Sequence, residues 1–351
     1  MTSKVAALWL RRTVGALAVA YPVALLAAVA TLLWIGERWW ISAVALYLPR
    51  LGFAAPLPVI CLACLVLRMR RLATLQLASA LIVTFPLMGL SVPLSARAHR
   101  ERPRLRVLSF NVNSAHGGVP AVMGEIDHFA PDVLTLQECG DDDPLSGALR
   151  ARYPTVEVSG QFIFATRYAV TAATEPEKLA YGGRSRSARF NRHALETPLG
   201  RLVVYNVHPL SPREALYGLR GQTGLLHEIR SGSLFAGPAA QRVADNVGLR
   251  TLQVQTFADA ARRETDPVII AGDTNLPGLS ALLNTELSSF VDGFSEAGWG
   301  LGYTFPTDRW RPWMRIDRIM ASRPLHFVGF EVGRTRASDH HCVVADIEIA
   351  R

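Results

Sequence analysis

Ala337-Ser338-Asp339-His340-His341 is a short polar knot between Gly333-Arg334-Thr335-Arg336 and the apolar run Cys342-Val343-Val344-Ala345. An Asp-His pair at the lip of a strand-like run places a carboxylate and an imidazole where catalytic groups often stand. Solvated loop histidines are common, so the pair gains weight only if other apolar runs end on matching polar residues. Several do.

Leu105–Phe110 reads as a strand ending at Asn111-Val112-Asn113; Gly117-Gly118 turns the chain, and Val119–Phe129 suits a helix. Val133–Leu136 is a second strand, ending at Gln137-Glu138, and Phe162–Phe164 a third, followed by Thr166-Arg167. Leu202–Val207 ends at His208-Pro209, and Gln241–Arg263 suits a helix. Pro267–Ala271 leads into Gly272-Asp273-Thr274-Asn275, and Arg315–Met320 is an apolar strand broken by Asp317. Phe327–Val332 precedes the polar knot. Any one of these polar ends is ordinary turn chemistry. Asp317 is harder to dismiss, because a carboxylate inside an apolar strand needs a partner. Strands outnumber helices, which points to an α/β sandwich of sheets covered by helices.

The chain has 351 residues, half of them hydrophobic, with a net charge of +8 carried almost wholly by Arg. Guanidinium forks suit phosphate, so an anionic substrate or lipid surface is one reading and a generally Arg-rich composition the other. Cys61 and Cys64 form a C-x-x-C in an apolar segment without further ligands, so they read as small packing residues. Cys139 and Cys342 each border a site strand and do not define a redox compartment.

The apolar excess lies in residues 1–96. Val14–Ile35 carries no charge and is long enough to span a bilayer as a helix. A second span is expected over 45–67, with an irregular start at Pro56 and Pro58, and a third over 72–95. Lys4, Arg11 and Arg12 before the first span, and Arg68, Arg70 and Arg71 between the second and third, place both clusters on the cytoplasmic side. Three spans then put everything beyond them outside the cytoplasmic membrane; two would leave it inside. Residues 97–104 form a basic linker near the headgroups, and 105–351 form the soluble domain.

The ordered set Ser109-Phe110-Asn111-Val112-Asn113, Leu136-Gln137-Glu138, Tyr205-Asn206-Val207-His208, Gly272-Asp273-Thr274-Asn275, Arg315-Ile316-Asp317 and Ser338-Asp339-His340 resembles the endonuclease/exonuclease/phosphatase superfamily of metal-dependent phosphoesterases. The resemblance covers 105–351 and implies a four-layer α/β/β/α sandwich. It also implies roles. Glu138 is the principal Mg²⁺ ligand, with Mn²⁺ as a substitute, and Asn111 stands beside it; hard cations favour such oxygen donors. Asp339 is a further acidic residue at the metal site. Asp273 orients or deprotonates the attacking water, and Asn275 positions the water or the phosphate. His340 faces the scissile phosphate, with Asp317 as its orienting partner. His208 contacts phosphate or assists the leaving group, whereas His341 has no assigned role. The pattern departs from the repair nucleases at Thr166-Arg167, where those have Ser-Arg.

The family leaves the substrate open. A few N-terminal spans followed by an external domain resemble the teicoplanin-resistance type of undecaprenyl-pyrophosphate phosphatase, which makes a polyprenyl pyrophosphate the leading expectation. A phospholipid or sphingomyelin phosphodiesterase is the alternative; an external nuclease is less favoured, and a non-catalytic binding domain is disfavoured. Lys178, Arg184, Arg186, Arg189 and Arg192 offer a pyrophosphate-binding cluster or merely a solvated basic loop. Trp310 and Trp313 suit a bilayer surface, a lipid groove or the core.

Overall fold

The strand beginning at Leu105 shows how the sandwich is built. Its side chains alternate: Leu105 and Val107 enter a core between two sheets, while Leu108 and Phe110 enter a second core under helices. A strand covered on both faces reads as an unbroken apolar run, with its period of two hidden. The same split occurs at Val268–Asp273, where Ile269 and Ala271 join the inter-sheet core and Val268 and Ile270 face helices.

The computed structural model describes residues 3–93, 103–140, 144–220, 224–233, 237–309 and 311–349. Two compact units are present, Met1–Leu90 with Gly278–Ala281, and Ser91–Pro277 with Leu282–Arg351. One sheet of the second unit contains β1 (Leu105–Asn111), β2 (Val133–Gln137), β3 (Thr155–Ser159), β4 (Phe162–Thr166), β13 (Leu325–Val332) and β14 (Val343–Ile349), in the order β13-β14-β1-β2-β4-β3. The other contains β5 (Ala169–Thr174), β8 (Phe190–Thr197), β9 (Gly200–Val207), β10 (Val268–Asp273), β11 (Val291–Asp292) and β12 (Asp317–Ala321), in the order β11-β12-β10-β9-β8-β5. A separate hairpin pairs β6 (Leu179–Tyr181) with β7 (Arg184–Arg186). The helices Val119–Phe129 and Pro144–Arg150 cover the first sheet, and Pro238–Arg262 covers the second. This is the expected four-layer sandwich.

Each sheet centres on a parallel pair, β1-β2 and β9-β10, flanked by an antiparallel strand, β14 and β12 respectively. The C-terminal ends of the parallel strands and the starts of β14 and β12 therefore lie at the same end of their sheets. Polar residues that stop apolar runs in distant parts of the sequence are gathered there.

The differences from the sequence reading have local causes. β3, β5, β6, β7, β8 and β11 were not anticipated: β5 and β7 are largely exposed, so they carry little apolar contrast. The helix Pro238–Arg262 begins before Gln241 because Pro238 occupies its first turn, where a missing N–H costs no hydrogen bond. Asp317 is the first residue of β12, not an interruption within it.

In the first unit, Val5–Arg38 is the one helical run among the described residues long and apolar enough to cross a membrane; Arg50–Val66 is shorter. The three-span expectation is thus matched in length only for the first. The segment expected over 45–67 breaks at the 3₁₀ turn Arg50–Ala54 ahead of Pro56. The third runs as Arg70–Ile82 and a π-turn, Val83–Leu87, around Pro86, which lacks an N–H; its last residues, 94–95, lie outside the described residues, as do 97–102 of the linker and Trp310. Several buried polar side chains find partners within this unit: Gln76 donates to Ala18 O at 2.8 Å, Glu37 accepts from Ala281 N at 3.0 Å and from the Ser280 hydroxyl, and Arg50 donates to Gly278 O at 3.1 Å. All four cysteines are free thiols.

Candidate active site

Strand register alone brings two carboxylates together: Asp273, ending β10, is the direct cross-strand partner of Asp317, opening β12. Both are buried. Like charges at this spacing inside a protein cannot both be held without a compensating cation. His340 supplies it, its Nδ1 donating to Asp317 Oδ2 at 2.9 Å while its Nε2 lies 3.8 Å from Asp273 Oδ2. Burial opposes a charged imidazole here, but Asp317 and Asp273 outweigh it and raise the His340 pKa. Asp273 is itself raised, first by burial and then by Asp317.

The loop that carries His340 is tied to the end of β1. Ser338 Oγ donates to Asn111 O at 2.8 Å and accepts from His340 N at 3.2 Å. Gly117 lies against Ala337, where an added Cβ would come within 2.3 Å of Ala337 O, so no larger residue fits that turn without displacing the loop. Thr304 Oγ1 accepts from Ile316 N and Asp317 N at 3.3 and 3.4 Å, bracing the start of β12.

Asn111 links the two sheets. Its amide nitrogen donates to Glu138 Oε1 at 3.0 Å and to Asp273 Oδ2 at 3.2 Å. Glu138 follows β2 in a left-handed conformation, φ 56°, uncommon for a residue with a side chain, and such strain gathers at functional sites. Beneath it, Gln137 donates to Asn206 Oδ1 at 2.8 Å, and Asn206 donates to Leu136 O at 3.1 Å and Ile163 O at 3.3 Å, so amides bridge the sheet ends where an apolar core would leave backbone carbonyls unpaired. Asn275, also left-handed, donates from its side chain to Pro209 O at 3.0 Å and from its backbone to Asp273 Oδ1 at 2.9 Å.

His208 Nδ1 lies 2.6 Å from Gln161 Oε1 and donates to it. Burial, then the nearby charges of Arg189 and His340, hold its pKa well below the usual value, so the ring is neutral. Its Nε2 is then a bare lone pair, buried and without a hydrogen-bond partner among the described residues, 3.5 Å from both Glu138 Oε1 and Asp273 Oδ2. An unpartnered lone pair facing two carboxylate oxygens is the donor set of a cation site. Asp273, Asp317 and His340 also form a buried group with metal-ligand spacing. That group already holds its positive charge on His340, so Glu138, Asn111 and the face towards His208 are the better fit for a metal ion.

The structure therefore brings Asn111, Glu138, His208, Asp273, Asn275, Asp317 and His340 into one site. Asp339 Oδ2 accepts from Arg213 Nη2 at 2.8 Å, and its charge is among those that raise the His340 pKa. His341 Nδ1 lies 3.1 Å from Thr335 O, on the loop itself. Sequence reasoning passed over Gln161 and Arg213, which have no strand-end signature, and Phe305, whose ring packs 4.6 Å from that of His340.

Two sheets under helices, with acid, amide and imidazole groups converging at one end, define a phosphoester-hydrolysing enzyme of the sandwich class. The sequence profile described as Endonuclease/Exonuclease/phosphatase family matches residues 108–340, and the chain belongs to that family. Members of the family depend on divalent metals. No curated protein matches the chain. Among solved structures, an endonuclease/exonuclease/phosphatase from Beutenbergia cavernae is similar over 71% of this chain and 72% of its own, with 18% identity and a TM-score of 0.51. Truncated TDP2 from Caenorhabditis elegans covers 70% of this chain and 98% of its own at 19% identity, TM-score 0.48. The 3′ phosphatase NExo from Neisseria, bound to a product DNA hairpin, covers 70% and 100% at 16% identity, TM-score 0.48.

Proposed function

We propose that the chain is a membrane-anchored, Mg²⁺-dependent hydrolase of a lipid-linked pyrophosphate, acting outside the cytoplasmic membrane. The observation that carries the reading is the joining, in one chain, of the Glu138–Asn111–Asp273–His208–His340 site to the apolar helical run Val5–Arg38. A catalytic domain tethered to a bilayer meets lipid phosphates at high local concentration. The multi-pass arrangement and the external location are inferred from the Arg68, Arg70 and Arg71 cluster.

Glu138, with Asn111 beside it, would hold the ion, which when bound supplies positive charge against the phosphoryl oxygens. Asp273, raised in pKa and set by Asn275 N, takes a proton from the attacking water. His340, charged and held by Asp317, presents Nε2–H to a phosphoryl oxygen and stabilises the negative charge there. His208 stays neutral, so its Nε2 accepts a hydrogen bond and adds no charge of its own.

The test is a substrate panel on the full chain in detergent, with Mg²⁺ and with EDTA. Release of inorganic phosphate from a prenyl diphosphate, abolished by EDTA and by Glu138→Ala, is the expected result. Cleavage of sphingomyelin, phospholipid or plasmid DNA in its place would overturn the substrate, and no phosphoester cleavage by folded protein would overturn the mechanism.

A further inference from the structure

The basic residues between β5 and β9 separate into distinct groups. Lys178, Arg184 and Arg186 are exposed, the last two on β7. Arg192 is committed to Glu264, with Nε and Nη2 at 2.6 and 2.8 Å from its two oxygens. Arg189 differs from all of these. It is half-buried, in a left-handed conformation with φ 57°, and its carbonyl accepts from His208 N at 3.0 Å, which fixes it beside the site. Its guanidinium has no hydrogen-bond or ion-pair partner among the described residues. Burial pushes its pKa down, opposed by attraction from Glu138, Glu214 and Asp273. A desolvated guanidinium without a fixed counter-ion is unfavourable unless an anion arrives to pair with it.

A second guanidinium stands at the same site. Arg213 lies over the Phe305 ring, 5.6 Å from its centroid, and Phe305 in turn packs against His340. Asp339 holds Arg213 from the other side at 2.8 Å, and Glu138 also draws on its charge. One cation is thus placed beside His208 and one beside the ring that backs His340.

The Glu138–His340 centre accounts for a single phosphoryl group. We infer that Arg189 and Arg213 form a subsite for a second phosphoryl group joined to the first, so that the site selects diphosphates over monophosphates and simple diesters. Planar guanidinium forks match phosphoryl oxygens, and two of them suit the higher charge of a diphosphate. The inference rests on the phosphoanhydride reading above and names the residues that would produce it.

Calorimetry on the full chain in detergent with EDTA, using inorganic pyrophosphate and inorganic phosphate as probes, tests the subsite apart from turnover. Pyrophosphate is expected to bind at least about tenfold tighter than phosphate. Arg189→Gln and Arg213→Gln should each reduce that preference to about threefold or less, with phosphate affinity little changed, while Arg189→Lys keeps part of it. Unchanged melting temperatures show that the variants are folded. Equal affinities in the unsubstituted chain, no binding of either anion, or a preference that survives either Gln substitution overturns the subsite. A pyrophosphate preference without prenyl diphosphate turnover sinks the lipid substrate and leaves the subsite standing; turnover without the preference does the reverse.

Discussion

Asp317 receives the Nδ1 proton of His340 at 2.9 Å while standing directly across the sheet from Asp273. One carboxylate thereby fixes the tautomer and charge of the imidazole, and the other accepts from Asn111 and Asn275. Asp317→Asn removes the negative charge and keeps the shape. Turnover should fall by about 10²–10⁴-fold with the fold retained. Steady-state kinetics beside a far-ultraviolet circular dichroism spectrum checks this, and activity within threefold of the unsubstituted chain counts against the assigned role.

Glu138 and Asn111 reach one another across the ends of β1 and β2, with the Glu138 side chain one-third exposed at the mouth of the site. Glu138→Gln preserves volume and removes the charged donor. Affinity for Mn²⁺ used as a probe should weaken by about tenfold or more, as read by electron paramagnetic resonance without any substrate. Unchanged binding would place the ion elsewhere.

Asp292 is a half-buried carboxylate serving two arginines. It accepts from Arg315 Nη1 at 2.7 Å and also pairs with Arg318, whose Nη2 donates to Leu276 O at 3.1 Å. Burial alone would raise the Asp292 pKa, but Arg315 and Arg318 bring it down to about 2. Asp292→Asn leaves the Arg318 charge buried and poorly matched, at a cost of about 3–5 kcal/mol. The melting temperature should drop on the order of 10 °C, and a drop below about 2 °C would show that the pair carries little stability.

His193 is buried in β8, stacked on Phe164 at 3.8 Å, with Nε2 3.1 Å from Glu157 Oε2. That distance would suit an imidazolium, yet Nδ1 is buried without a partner, so a second proton would leave an unsatisfied donor. Burial, then Arg192, lowers the pKa to about 4. The unfolded chain, near 6.5, binds the proton more readily, so stability is full above that value and is lost as pH falls towards about 4. The loss between pH 7.5 and 5 is about 2 kcal/mol. Melting temperatures across this range should fall more for the unsubstituted chain than for His193→Gln; parallel curves would assign the acid sensitivity to other groups.

Much of the site was legible because each group closes an apolar run. Asn111, Glu138, His208 and Asp273 follow strands buried on both faces, where a polar residue stands out against Val, Leu and Ile. Arg189 stood out only as one of five basic residues in a candidate cluster, and Arg213 not at all, because both lie outside such runs in a chain with 37 Lys and Arg residues. Which arginine is buried near the site and which is spent on Glu264 depends on contacts from elements far away in sequence.

The order and identity of the strand-end residues, visible in the chain from Asn111 to His340, determined the sandwich, the family and the hydrolytic chemistry, since local hydrophobic patterning and chemically specific side chains are properties of sequence. Tertiary structure decided the pairings: Asp317 on His340, Asn111 between Glu138 and Asp273, and Asp339 turned to Arg213. Those depend on strand register and side-chain direction, which arise only when the two sheets are assembled. The Ser338-Asp339-His340 knot is the clearest case, for its two neighbouring charged residues end on different partners, His340 on Asp317 and Asp339 on Arg213.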